Sequence, residues 1–552
     1  MEQLSELSKL KIWWLSNKDI WFNSNDHNDT IVTNKFANLL NIDISINKLN
    51  LQIDECLGYI ILNDQVIRHV VRLNNLFSDE ISKRLNNIIP FVKTFYEYNK
   101  NKMNDYEFYF TLLPLRHTNI YENQLFVLTE TWSKIKMLSE TDLFYKEKLH
   151  TYKKYLNATY DHMCDKNIIE VNFNIVHKYE IHKTIELFVK NFDDIFDKNT
   201  ILYRTNNNHN LIQKNNSIVN MCCKFSKSDK IILSISGGVD SMILSWIFYK
   251  LNLNFVMVHI NYSNKKECEK EVKFLSMWAK YINVKLFIKN IDEINRKTCM
   301  NFELRKTYES YTRNVRYNSY VQTSKKMNWS SYYVVLGHNS DDCFENILTN
   351  ISNKKCYDNL NGMNIISPIV FKNNIIQFCR PILSISKAQI YKYAHYNNIP
   401  YLRDSTMSWS QRGKIRDEIK PILTKWNPNI INGLCELKDI MKESLECIDI
   451  LADSWKQKLK CDVMNNINVQ FIIIDLCDLV ESKIFWNRFL LKMKIKISSK
   501  SLNNLINKII TIKKKFKMLQ INVKNVVELS KINKCIFWKN SFKKLILSFT
   551  VN

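Results

Sequence analysis

The segment Ser236-Gly-Gly-Val-Asp-Ser241 combines two adjacent glycines, two hydroxyls and a carboxylate. Those are groups that can hold a phosphate chain. Glycines let the backbone approach phosphate oxygens closely. Unpaired N–H groups at a helix start point at an anion, and the helix dipole adds to them. Gly237, Gly238 and Val239 would supply that backbone, Ser236 and Ser241 further donors. Asp240 suits a magnesium ion, which takes oxygen ligands. An ordinary strand-to-helix turn is the plainer reading. Against it, the chain has only 7 glycines in 552 residues, and two of them are adjacent here.

A second candidate is Gly337-His-Asn-Ser-Asp-Asp-Cys-Phe-Glu345. A helix would put Asp342 and Glu345 on one face. Beside a phosphate site, paired carboxylates suit magnesium bridging phosphate oxygens. His338 could contact substrate or move a proton. Taken alone, the stretch also reads as a capped helix start, with Asp341 or Asp342 as cap and Glu345 against the dipole. Further back, Thr312-Arg-Asn-Val-Arg316-Tyr317 offers two arginines and an aromatic ring for a phosphate or a stacked base. A solvated helix face fits those residues equally well.

These groups need a scaffold. Ile231, Ile232, Leu233 and Ile235 crowd the positions after Lys230, as in a strand buried on both faces. A helix-like run follows from Met242 to Phe248. Phe255–Ile260, Val284–Ile288 and Tyr332–Gly337 read as further strands, with a charged helix over about 267–280. Strands alternating with helices predict a parallel sheet, which binds ligands beyond the carboxyl ends of its strands. The N-terminal part reads as helices, with aromatic clusters at Ile12-Trp-Trp-Leu15 and Ile20-Trp-Phe22 and little period-two alternation. The expected architecture is multidomain. It has an all-α domain over 1–205, a polar linker at 206–217, an α/β parallel-sheet domain over 218–425 and a small C-terminal region over 426–552. That last region carries a lysine cluster, Lys513, Lys514, Lys515 and Lys517 around Phe516.

The net charge of +25 suggests a polyanionic partner such as RNA. Heavy use of Asn, Ile and Lys offers base-composition bias as another account. The 14 cysteines include no Cys-x-x-Cys spacing, which argues against zinc ribbons. Without a signal peptide pattern or an apolar run of membrane-spanning length, reduced thiols in cytoplasm are the expectation, and no membrane partner. The oligomeric state stays open, a dimer included.

The Ser236–Ser241 hexapeptide resembles the pyrophosphate-binding loop of the ATP pyrophosphatases, which split ATP between its α- and β-phosphates. Several motifs in order are similar to the tRNA(Ile)-lysidine synthase family: Ser-Gly-Gly-Val-Asp-Ser, then His259-Ile-Asn, Arg313-Asn-Val-Arg316-Tyr, and Gly337-His-Asn-Ser-Asp-Asp-Cys-Phe-Glu345. Cys379-Arg-Pro-Ile-Leu-Ser-Ile-Ser-Lys387, Ile399-Pro-Tyr-Leu-Arg-Asp404-Ser-Thr and Arg412-Gly-Lys-Ile-Arg416 continue the likeness, which covers about 218–425. Asn346, Asn353-Lys354, Met407 and Gly413 depart from the family pattern, toward its substrate end. The resemblance implies ATP and magnesium as cofactors, with tRNA and free lysine as partners. It implies Asp240, His338, Asp342, Glu345 and Arg316 as catalytic residues, the first, third and fourth of these as metal ligands. Arg380, Arg412 and Arg416 would face tRNA. Thiolation of tRNA by a related ATP pyrophosphatase, or an inactive RNA-binding scaffold, are the alternatives. Residues 5–195 resemble helical proteins of tetratricopeptide-like architecture and unknown function, through Asp64, Gln65, Arg68, Arg72, Pro114, His117 and Gln124. The simplest expectation for Asp64, Arg68 and Arg72 is an exposed ion-pair row.

Overall fold

A computed structural model describes residues 2–21, 25–41, 52–74, 79–139, 141, 143–166, 168, 222, 224–264, 268–353, 363–402, 411–464, 467–495, 497–515, 525–529, 533–539 and 544–550. The expected linker at 206–217, the Asp404-Ser-Thr motif with Met407, and Phe516 and Lys517 lie outside the described residues.

The N-terminal part is helical, as its periodicity predicts: α1 (Glu2–Ser16), α2 (Asp26–Phe36), α3 (Ile53–Ile61), α4 (Ile67–Leu73), α5 (Asp79–Asn99), α6 (Asp105–His117), α7 (Tyr121–Met137) and α8 (Tyr145–Asp165). Trp14, Phe108 and Tyr152 are buried at its centre. A π-helical turn, Leu62–Val66, joins α3 to α4. The exposed ion-pair row expected there is corrected. Asp64 is 1% exposed and sits between Arg68 at 3.0 Å and His117 at 2.8 Å. Arg72 reaches instead to the buried Asp29 at 2.7 Å, which also bonds His69 at 2.6 Å. Burial opposes the Asp64 charge, but His117 and Arg68 outweigh it and draw the carboxyl down to about 2. A buried acid needs such partners, so these residues brace the helices against one another.

The central part alternates strands and helices: β1 (Ile231–Ser234), α9 (Val239–Lys250), β2 (Phe255–Asn261), α10 (Cys268–Tyr281), β3 (Leu286–Asn290), α11 (Arg296–Asn301), α12 (Arg305–Lys326), β4 (Tyr333–Val335), α13 (Ser340–Ser352), β5 (Ile366–Phe371), β6 (Asn374–Cys379) and α14 (Lys387–Tyr396). The sheet runs in the order β3-β2-β1-β4-β6-β5, parallel except where β5 pairs antiparallel with β6. Strand order turns back at β1, with β2 on one side and β4 on the other. That switch point is where a ligand crevice opens at the carboxyl ends.

The helical part is not a loosely tethered module. Its core continues without a break into one face of the sheet, through Tyr160, Tyr311, Val315 and Val256. Tyr160 donates to the Glu293 carbonyl at 3.0 Å, and Tyr311 to the Glu293 carboxylate at 2.8 Å.

After the short helix α15 (Gln411–Lys414), a π-helical turn over Ile415–Ile419 leads into α16 (Lys420–Trp426) and the long α17 (Ile430–Gln457). The C-terminal part adds β7 (Lys460–Met464), β8 (Ile467–Asp475), α18 (Lys483–Lys492), α19 (Ser499–Lys515), β9 (Asn525–Glu528), β10 (Lys534–Lys539) and β11 (Lys544–Thr550). Its antiparallel sheet, β7-β8-β11-β10-β9, packs a core of Trp455, Trp486, Phe489 and Leu547. Of the lysine cluster, Lys513 pairs with Glu481 at 3.0 Å and Lys514 is exposed. Among the described residues no helix is long and apolar enough to cross a membrane.

Candidate active site

β1 delivers the chain to its carboxyl end at Ser234, and the next four residues form the turn into α9. Gly237 takes φ +81°, a left-handed conformation that glycine adopts without strain. The turn is held by its own side chains. The Gly238 N–H donates to Ser236 Oγ at 3.3 Å, the Ser236 N–H to Ser241 Oγ at 3.2 Å, and Ser241 Oγ to the Gly238 carbonyl at 3.0 Å. The Leu402 N–H donates to the Gly237 carbonyl at 2.9 Å, bracing the loop from outside. The first N–H groups of α9, at Val239 and Asp240, have no carbonyl behind them in the helix. They point out of the carboxyl end of the sheet's central strand.

The loop after β4 lies directly against this turn. A Cβ built on Gly337 would come within 3.1 Å of the Asp240 backbone carbon and Cβ and of the Ser241 nitrogen. A side chain at Gly337 would force the two loops apart by a few tenths of an ångström. Asn339 caps α13, accepting from the Asp341 and Asp342 N–H groups, and Asp342 completes the capping box. The cap is thus Asn339, not Asp341 or Asp342. Its amide also donates to Asp240 Oδ1 at 3.0 Å, so one side chain starts α13 and fixes the loop acid.

Asp240 has a second partner that the sequence reading did not assign a role. Lys387, the first residue of α14, reaches its Oδ2 at 2.5 Å. Burial raises the Asp240 pKa, and the neighbouring Asp342 charge adds to this; Lys387 and Asn339 pull the other way. The net rise follows from burial, against the pull of the cation the carboxylate already holds, Lys387.

Asp342 and Glu345 do share one face of α13, as their spacing predicts, but arginines occupy them. Arg412 donates to Asp342 at 2.5 Å and to Glu345 at 2.8 Å, and Arg416 to Glu345 at 3.0 Å. Glu345 is 2% exposed, and a buried carboxylate requires such pairing. Lys420 adds a pair to Asp341. The three-carboxylate magnesium set Asp240–Asp342–Glu345 therefore does not form: no group of three such ligands exists among the described residues. Arg412 and Arg416 have neutralised one corner of it. Asp240 still fits a cation: its carboxylate already holds one, the Lys387 ammonium.

His338 is neutral near pH 7. Burial drives its pKa to about 4, with Asp342 opposing and Arg380, Arg412 and Arg316 assisting. The Arg380 Nε–H donates to His338 Nδ1 at 3.2 Å. The hydrogen-bond network therefore assigns the ring proton to Nε2. His338 offers a donor to the crevice rather than a base. Arg380 itself corrects another expectation. It is 9% exposed and spends its guanidinium on His338, the Asn364 carbonyl and Ser367 Oγ. It is a clamp between β5 and His338, not a tRNA-facing residue. Arg412, half exposed, and Arg416 stand at the rim. Arg316 is half-buried on α12 and hydrogen-bonds Tyr262, the residue after β2. A cavity of about 460 Å³ lined by Asn254, Tyr281 and Val284 lies at the opposite ends of β2 and β3 and contains none of these groups.

Known proteins resemble parts of this chain. Residues 207–423 match the PP-loop domain family. A tRNA(Ile)-lysidine synthase of Mycoplasma mycoides subsp. mycoides is 25% identical over 325 residues, covering 57% of this chain and 75% of that protein. One of Streptococcus pyogenes serotype M3 is 28% identical over 217 residues, 39% of this chain. The chain thus spans three quarters of the first relative and less than half, 46%, of the second. Among solved structures, the U34-tRNA thiolase NcsA from Methanococcus maripaludis, with its [4Fe-4S] cluster, is similar at 15% identity and a TM-score of 0.32, over 41% of this chain and 78% of that one. The part of the chain that builds the site, residues 207–423, is thus the part that matches the PP-loop domain family.

Proposed function

We propose that this protein is an ATP-dependent tRNA-modifying ligase. It joins free lysine to C2 of the wobble cytidine of an isoleucine tRNA, through an adenylated tRNA intermediate. The observation that carries the reading is the contact of the two loops at the switch point. Gly337 packs on Asp240 and Ser241, so the phosphate-type turn and the His338–Asp342 loop form one crevice. The names of the relatives support the substrate class.

In this reading the N–H groups of Val239 and Asp240 hold the β- and γ-phosphates. The cytidine O2 attacks the α-phosphorus, forming an O–P bond as the bond to pyrophosphate breaks. Backbone donors fixed before the reaction stabilise charge on the departing pyrophosphate without reorganising. Magnesium bound with ATP would take Asp240 as its protein ligand, with Asp342 nearby, and supplies charge neutralisation on the phosphates. Lys387, now on Asp240, is placed to turn to the phosphates when Asp240 takes that role. His338 donates through Nε2–H to an oxygen of the nucleotide or the base. The neutral ε-amine of lysine then attacks C2, and the C–O bond to AMP breaks. Its proton goes to a carboxylate, since His338 has no free acceptor; Asp342 is the acid at hand. Arg412 and Arg416, at the rim, would orient tRNA.

The test is to incubate the full chain with ATP, magnesium, lysine and a CAU-anticodon isoleucine tRNA, and to weigh the nucleosides after digestion. Cytidine at the wobble position gains the mass of lysine less water. A sulfur-for-oxygen mass change would support thiolation instead. No change in this tRNA while other tRNAs are modified would reject the substrate.

A further inference from the structure

Two thiols meet beside the site, and the reading above gives them no task. Cys343 lies on α13, between Asp342 and Glu345, and is 1% exposed. It packs against Ile347 and Leu383, with Met363 and Cys435 closing the cluster. Cys435 is on the first turns of α17 and is only half-buried. The two side chains meet in this one cluster across 92 positions of sequence. Thiols packed together in this way can be joined by a disulfide, with a sulfur–sulfur length of about 2.05 Å.

What the pair would join gives it a consequence. The 28 residues of α17 make a rod of roughly 42 Å. Its start packs on α13. Its far end carries the C-terminal part, where Asp449 pairs with Arg488, and Asp453 with Lys492 at 2.6 Å.

We propose that Cys343 and Cys435 form a reversible, peroxide-driven disulfide that fastens α17, and with it the C-terminal part, to the helix carrying Asp342 and Glu345. The chemistry balances with hydrogen peroxide as oxidant. One sulfur takes a peroxide oxygen, the O–O bond breaks, and the first water leaves with a thiol proton. The second sulfur then attacks the sulfenic sulfur; the S–S bond forms, the S–O bond breaks, and a second water leaves. Two thiols are oxidised by two electrons and one peroxide is reduced to two waters.

The experiment uses the full chain. Treat it with hydrogen peroxide, block remaining thiols by alkylation, digest without reductant and identify linked peptides by mass spectrometry. The expected result is the Cys343 peptide joined to the Cys435 peptide, released by dithiothreitol. The oxidised protein should melt higher than the reduced one. Cys435→Ser, at a half-exposed position, should lose both the linkage and the oxidation-dependent rise; Cys435→Ala serves if the serine variant folds poorly. The proposal is overturned if both cysteines are recovered singly alkylated or as sulfinic acids. It is equally overturned if linkages form only among the exposed Cys447, Cys461 and Cys477.

Discussion

Replacing Gly237 with alanine tests whether the turn after β1 has the shape that phosphate binding needs. At φ +81° an L-residue pays about 1–2 kcal/mol. The new Cβ would also lie 2.7 Å from Leu402 Cδ1 and 3.3 Å from its Cγ. Leu402 cannot simply back away, because its N–H is bonded to the Gly237 carbonyl at 2.9 Å. Forcing its side chain off its rotamer costs a further ~0.5–1.5 kcal/mol. Alanine returns roughly 0.4–1 kcal/mol by restricting the unfolded chain. The net expectation is a loss of about 0.5–3 kcal/mol, read by urea denaturation, together with weaker ATP binding by calorimetry. Gly238→Ala is the internal control. Gly238 sits at φ −68° and ψ 154°, and its Cβ would meet only Ser236 Oγ at 3.4 Å. That variant should be as stable as the parent yet bind ATP at least ~tenfold more weakly, a difference of about 1.4 kcal/mol, because the methyl enters the space left for phosphate. Parental stability and ATP affinity in Gly237→Ala would refute the reasoning, as would equal destabilisation by both substitutions.

Three other perturbations report on the neighbouring groups. Glu345→Ala leaves Arg412 and Arg416 short of their buried partner; solvent around the half-exposed arginines reduces the loss to about 1–3 kcal/mol, measurable by denaturation, and parental stability would contradict the pairing. Lys387→Met removes the cation that opposes the upward shift of Asp240, so the acid limb of the pH–rate profile should move to higher pH; an unmoved limb would show that Asp240 does not need to ionise. His338 titrates near 4 in the fold and near 6.5 when unfolded, so the unfolded state binds more protons between those values. Stability should therefore fall as pH drops from 6.5 toward 4, by on the order of 3 kcal/mol from this group, and His338→Gln should flatten that fall.

The parts of the site that could be read from sequence were those carried by neighbouring residues. Two scarce glycines after an apolar run marked the phosphate-type turn, and the three-residue spacing of Asp342 and Glu345 placed them on one helix face. The partners that decide what those acids do come from far along the chain. Lys387 meets Asp240 across 147 residues, and Arg412 meets Glu345 across 67. Local periodicity holds no trace of such pairings. The same reason hid Asp29 behind Arg72, 43 residues away, and turned an expected surface row into buried bracing. Lys387 had a signal, the Ser386 cap and Gln389 at the start of its helix, but a cap announces a helix and not what its first residue touches. The Cys343–Cys435 contact was invisible to a search for close cysteine spacing.

The central claim is that the Ser236–Ser241 turn directs ATP at a nucleobase, and isotope exchange between labelled pyrophosphate and ATP tests it most directly. The account predicts exchange that requires isoleucine tRNA, proceeds without lysine, and is lost in Asp240→Ala. Exchange driven by lysine without tRNA, or unchanged in Asp240→Ala, would contradict it.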